Sequence, residues 1–294
     1  MTYSIENNFL RLSVSTTGAE PVSVIKKETG EEMLWQADEA VWGRHAPLLF
    51  PYCGRLKDGH YLYDGNTYEG GQHGFGRDME FALGAETADS LTLVLQANVL
   101  TMEKYPFAFK LSVTFTLSGT TVCQHVAVEN EDDKEFCFGL GFHPGFACPF
   151  DAAHTPEDYT FAFDVPQTPT LVDVNTANGL VTGKSSTYFT AQSTIPLSNH
   201  LFDNDSLCFA HLSAKTLSIT EKDTGKKVSV NISEFPYVLI WAPPHKPVQF
   251  VCIEPWHTLP DREDATGVWE DKQPAITLAP GHVWNTELKM TFDR

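Results

Sequence analysis

Basic residues are scarce in this 294-residue chain: 20 Lys+Arg stand against 38 Asp+Glu, a formal net charge of −18. A surface this acidic repels phosphate backbones, which excludes nucleic-acid binding driven by counterion release. It also disfavours anionic membrane surfaces and polyanionic substrates unless a local basic pocket overrides the global field. Long apolar runs are missing too. The charge-free stretch from Phe136 to Phe150 contains His143, Pro144 and Pro149 and is too short to span a bilayer. The opening residues, Met1-Thr2-Tyr3-Ser4-Ile5-Glu6, lack the basic start and apolar stretch of an export signal. No membrane partner is expected, and the cytoplasm is the expected compartment.

Six cysteines (53, 123, 137, 148, 208 and 252) form no CxxC pair, so a zinc ribbon is excluded and reduced, mostly buried thiols are expected. The sequence has no GxGxxG, no GxxxxGK[ST] and no GxSxG, the signatures of dinucleotide, phosphate and nucleophilic-serine sites. His245, His257 and His282 show no HxH, HxxxH or HExxH spacing. No cofactor and no metal are expected; only a site assembled from distant strands would supply one. Helical periodicity is scarce as well. Short helices are expected near 37–44 and 262–269, and nothing sustains a 3.6-residue period for three turns.

What the chain does have is strands and turns. Residues 110–117 alternate cleanly, with Leu111, Val113, Phe115 and Leu117 on one face. Ser118-Gly119-Thr120 turns the chain, and Val122, Cys123, His125, Val126 and Val128 continue as the hairpin partner. Further hairpins are marked at Glu28-Thr29-Gly30, Asp64-Gly65-Asn66 and Asp223-Thr224-Gly225, and a last strand runs from Trp284 to Phe292. The acidic run from Glu129 to Glu135 reads as a solvated turn. Without linkers or repeats, the pattern predicts one all-β domain over 1–294, a large antiparallel sandwich.

Four segments carry ionisable groups that neither a plain core nor a plain surface needs. In Leu49-Phe50-Pro51-Tyr52-Cys53-Gly54-Arg55 an apolar run ends in a glycine and a cation, as if bent to aim Arg55 at a cavity. In Gln72-His73-Gly74-Phe75-Gly76-Arg77-Asp78, two glycines that permit close approach of a ligand to the backbone bracket Phe75, an aromatic that can stack on a sugar or base face, with His73 and Arg77 on either side. His143 stands alone in an aromatic stretch; Pro144 restricts it to extended geometry, and apolar surroundings lower an imidazole pKa. Glu254 ends the buried run Phe250-Val251-Cys252-Ile253, where desolvation raises a carboxyl pKa toward that of a general base. Each segment also has a plain structural interpretation: a surface Arg after a turn, a polar loop, a hydrogen-bonded core His, a strand-end Glu in a salt bridge. Together they offer an acid, a base, an orienting His and one or two arginines on a β scaffold. That set suits proton transfer on a neutral polyhydroxy ligand.

These residues resemble the aldose 1-epimerase (mutarotase) family, in particular its LacX-like branch. The resemblance runs through Gly18-Ala19-Glu20, Leu49-Phe50-Pro51 with Gly54-Arg55, His73-Gly74-Phe75-Gly76-Arg77 and His143-Pro144-Gly145-Phe146. It continues through Leu201-Phe202-Asp203-Asn204-Asp205-Ser206-Leu207, Trp241 and Ile253-Glu254-Pro255-Trp256. It implies a galactose-mutarotase-like fold, a large antiparallel β-supersandwich, and a cofactor-free isomerase that interconverts α and β anomers of an aldose such as galactose or glucose. It further implies His143 as general acid and Glu254 as general base. Arg55, His73 and Arg77 would then be sugar-binding residues, with an Asp contact from 203–205 that falls best on Asp205. The galactose branch follows its histidine with an aromatic and Asn-Leu, whereas Gly145 lies next to the acid here, so that branch's sugar preference does not carry over. The expected partner is a small-molecule sugar and the expected state a monomer or homodimer. Two other functions fit the same residues: a non-catalytic carbohydrate-binding or sugar-sensing protein, and a hexose 6-phosphate mutarotase.

Overall fold

Strict alternation makes Phe109–Ser118 and Thr121–Asn130 a long hairpin, with Leu111, Val113 and Phe115 fully buried from one strand and Val122, Val126 and Val128 from the other. This hairpin is the middle of a nine-stranded antiparallel sheet in the computed structural model, which describes residues 1–293. The expected last strand, Val283–Asp293, pairs with Thr121–Asn130 on one side and Lys227–Asn231 on the other. An eight-stranded sheet lies against it. Its central strands are Leu207–Ala210, Tyr237–Trp241 and Phe250–Trp256, followed by the short Gly141–Phe142 and Gly145–Ala147.

The two sheets share one core. Val251, Ile253, Val238 and Ile240 from the smaller sheet cluster with Leu111, Val113, Leu288 and Met290 from the larger. Phe146 meets Phe292 across the interface at 6.2 Å between ring centroids, and Phe163 meets Phe209 at 6.4 Å. Side chains alternate along Phe250–Trp256, so Cys252, Glu254 and Trp256 point away from this core onto the outer face of the smaller sheet.

The hairpin turn at Asp64-Gly65 forms with both residues at positive φ, 46° and 73°, between His60–Tyr63 and Asn66–Glu69. The hairpin around Asp223–Gly225 also forms. The two expected helices do not. In 37–44, Ala37 takes φ 52° and the Asp38 carboxylate accepts the Ala40 N–H, an Asx-type turn. In 262–269, Gly267 takes φ 80°, and only a short 3₁₀ turn, Trp269–Asp271, follows. The one α-helix among the described residues is Val99–Met102, capped by Asn98. None of these helices is long and apolar enough to cross a membrane. Cys53, Cys148, Cys208 and Cys252 are buried free thiols, and Cys123 and Cys137 are partly buried.

Candidate active site

His143 and Glu254 come together through strand register. Gly141 pairs with Trp256 and Gly145 with Cys252, which sets His143 opposite Glu254 at the break between the two short strands. His143 Nε2 lies 3.2 Å from Glu254 Oε2, with both side chains nearly inaccessible. Burial governs both groups. It lowers the His143 pKa to about 3 and raises that of Glu254 well above the carboxylate range, with the Asp205 charge pushing Glu254 further the same way. The direction is toward an imidazole and a carboxylic acid in hydrogen-bond contact.

Around them opens a cleft of about 370 Å³. All six residues singled out in the sequence line it: Arg55, His73, Arg77, His143, Asp205 and Glu254. His73 is held by a reciprocal pair with Gly54: its backbone N–H donates to the Gly54 carbonyl at 2.7 Å, and its Nδ1 accepts the Gly54 N–H at 3.0 Å. An Nδ1 that accepts leaves the proton on Nε2, so His73 is a neutral donor. Burial, then His143 and the nearby arginines, push its pKa well down, which keeps it so. This pairing fixes His73 at φ 69°, a sparsely populated conformation for a non-glycine residue. Gly54 sits at φ 72° with Pro260 so close that a Cβ would stand 2.2 Å from Pro260 Cγ, so no other residue fits before Arg55.

The two arginines differ. Arg55 is exposed, and no carboxylate pairs with its guanidinium among the described residues. Arg77 is half-buried: Nη2 donates to the Gln72 carbonyl at 2.7 Å, while Nε is buried without a partner. Burial and the neighbouring Arg44 lower its pKa. Asp78, the next residue in the chain, binds Arg44 at 2.6 Å. Asp205, at φ 69°, lines the cleft; Asp203 faces away, with one carboxylate oxygen 2.9 Å from His200 Nδ1 and the other 3.4 Å from His245 Nδ1.

Aromatic side chains form the rest of the wall. Trp42 stacks on His143 with centroids 5.0 Å apart, and Trp241 meets the same ring edge-on at 5.7 Å. Trp256 meets His73 edge-on at 5.5 Å. Trp42 escaped the sequence reading because it sits in the segment expected as a helix. Its place depends on Gly145, where a Cβ would stand 2.9 Å from the Trp42 ring, and on Glu20, which accepts the N–H groups of His45 and Ala46 at 2.7 and 2.9 Å. Phe75, an aromatic considered for ligand stacking, belongs to the core. It meets Phe50 edge-on at 6.1 Å, and the close approach that Gly74 permits is to the Phe50 carbonyl, not to a ligand.

Comparison with known proteins places this arrangement. A family profile described as Aldose 1-epimerase matches residues 1–291. The chain is 30% identical over 287 residues to the chromosomal LacX protein of Lactococcus lactis subsp. lactis, covering 95% of each chain. Among solved structures, a galactose mutarotase related enzyme from Lactobacillus acidophilus superposes with a TM-score of 0.96 at 36% identity, over 100% of this chain and 98% of that one. A galactose mutarotase-like protein from Lactobacillus casei gives 0.91 at 29% identity, over 99% of both chains. The chain belongs to the aldose 1-epimerase family.

Proposed function

We propose that this protein is an aldose 1-epimerase that interconverts the α and β anomers of a free hexose such as galactose or glucose. The observation that carries the reading is the buried 3.2 Å contact between His143 Nε2 and Glu254 Oε2 on the floor of a sugar-sized cleft. A binding protein needs neither an acid nor a base there.

The pair works with one proton between its two members. Burial places that proton on Glu254 in the free protein. Its transfer to His143 creates a carboxylate and an imidazolium side by side. Glu254 then takes the proton of the C1 hydroxyl while His143 protonates the ring oxygen, and the C1–O5 bond breaks to give the open-chain aldehyde. Rotation about C1–C2 by about 180° presents the other carbonyl face, and the reverse transfers close the ring as the opposite anomer. A positioned acid or base contributes about 10²–10⁴-fold each, so two account for a large acceleration. His73 Nε2–H, Arg55 and Asp205 hold the hydroxyls so that both transfers follow short paths.

A second reading, a hexose 6-phosphate as substrate, is favoured by Arg55 and Arg77, which line the cleft without a carboxylate ion-pair partner among the described residues. Polarimetry of freshly dissolved α-D-galactose and α-D-glucose, with and without the corresponding 6-phosphates as competitors, tests both. Accelerated equilibration of free sugar that millimolar phosphate ester leaves unchanged supports the first reading. Acceleration confined to the phosphate ester supports the second, and neither outcome, with binding alone, overturns both in favour of a sugar sensor.

A further inference from the structure

Cys252 stands two positions before Glu254 on Phe250–Trp256, so both side chains leave the same face of the strand, beside His143 on the neighbouring one. The Cys252 Sγ, a ring nitrogen of His143 and a Glu254 carboxylate oxygen all lie within 4.8 Å of one another, and all three residues are buried. None of this is visible as a sequence spacing, because the ligand atoms come from two strands joined only by register. We propose that these three side chains form a zinc-binding site, at which Zn²⁺ occupies the acid–base pair and blocks the sugar.

The donor set fits the ion. One imidazole nitrogen, one thiolate and one carboxylate oxygen are the ligand types zinc takes, at about 2.0–2.3 Å, with ligand atoms a little over 3 Å apart around a tetrahedron. The existing 3.2 Å separation of Nε2 and Oε2 already matches that edge, and a rotamer adjustment of Cys252 brings in the third ligand. The fourth position faces the cleft, where water completes the shell. A set that mixes sulfur and nitrogen selects zinc over magnesium or calcium, which take oxygen. On binding, the Cys252 thiol and the Glu254 carboxyl each release a proton, and the neutral His143 Nε2 gives its lone pair. Because two of its ligands are the proposed acid and base, the metal acts as an inhibitor: while it is bound, neither group can exchange a proton with the sugar.

Loss of activity on zinc binding rests on the proposed acid–base role of His143 and Glu254; occupation of the site does not. The test therefore reads both. Cobalt(II) added to the wild-type protein reports thiolate ligation through a near-ultraviolet sulfur-to-cobalt charge-transfer band, whatever the protein catalyses. The expected result is that band in wild type and its loss in both Cys252→Ser and Cys252→Ala, with Cys208→Ser unaffected as the neighbouring-thiol control. In parallel, zinc should inhibit sugar mutarotation in competition with sugar, and the Cys252 variants, with metal-free turnover unchanged, should need at least roughly tenfold more zinc. Absence of the band in wild type, or its persistence in both Cys252 variants, overturns the site. A band without inhibition retains the site and overturns its placement on a catalytic pair.

Discussion

His143 and Glu254 face each other across adjacent antiparallel strands, with Nε2 3.2 Å from Oε2, at the point where Pro144 interrupts the ladder. Proline has no N–H to give to a strand partner. The pleat is thus broken at the residue beside the imidazole, and the pair sits in a gap between two otherwise paired short strands. On the proposed mechanism this gap is where O1 and O5 of the sugar enter.

A pair that shares one proton has a distinctive pH profile. On the proposed mechanism activity requires the singly protonated pair, so it is lost on the acid side when a second proton binds and on the alkaline side when the only proton leaves. Burial depresses the His143 pKa to about 3, which sets the acid limb of kcat/KM far below the ordinary histidine range. The raised Glu254 pKa sets the alkaline limb above the ordinary carboxylate range. Rates of anomer exchange by proton NMR between about pH 4 and 9 measure the alkaline limb and show whether an acid limb falls in the ordinary histidine range. An acid limb near the ordinary histidine value of 6.5 would contradict the shared-proton state.

The same burial makes Glu254 a cost to the fold. Its folded pKa is raised above the unfolded value, so above the ordinary carboxylate range the unfolded chain ionises while the folded one must keep its proton. Stability is therefore lost as pH rises from that range toward the raised folded value. Glu254→Gln removes the titration. The variant should melt higher than wild type at about pH 8, with the gain shrinking toward about pH 4, as calorimetry at several pH values would record. A difference in Tm that does not change with pH would mean that Glu254 is not desolvated as described.

The proposed sugar contact of His73 depends on which nitrogen holds the proton. Asparagine tolerates its left-handed backbone and can still accept the Gly54 N–H through Oδ1, but its shorter NH2 group does not reach the position of Nε2–H. His73→Asn should retain the wild-type Tm and raise KM for sugar by roughly tenfold, the size of one lost hydrogen bond to a bound ligand. Steady-state kinetics that leave both KM and kcat unchanged would remove His73 from sugar binding.

Much of this was legible in the residues. The all-β sandwich followed from the alternation in 110–117 and in Trp284–Phe292 and from the Asp-Gly and Asp-Thr-Gly turns, because period-2 burial and positive-φ turn residues are local properties. His143 and Glu254 stood out because a polar group inside an apolar run is costly wherever the strand goes. Their contact was not legible, since it depends on a register between strands far apart in the chain. Trp42 was hidden in a segment that reads as a helix, and the Gly145 that lets an indole fit beside His143 lies on a distant strand. Phe75 misled because a glycine-flanked aromatic looks alike whether its backbone meets a ligand or, as here, the Phe50 carbonyl.

On the proposed mechanism His143 and Glu254 act as the acid and base of ring opening. Anomer exchange of α-D-galactose and α-D-glucose, followed by proton NMR with wild type, Glu254→Gln and His143→Asn in parallel, tests it most directly. Wild type should exchange the anomers rapidly and each variant should lose roughly 10²-fold or more in kcat, with circular dichroism and Tm showing both folded. Near-wild-type turnover in either folded variant would contradict it.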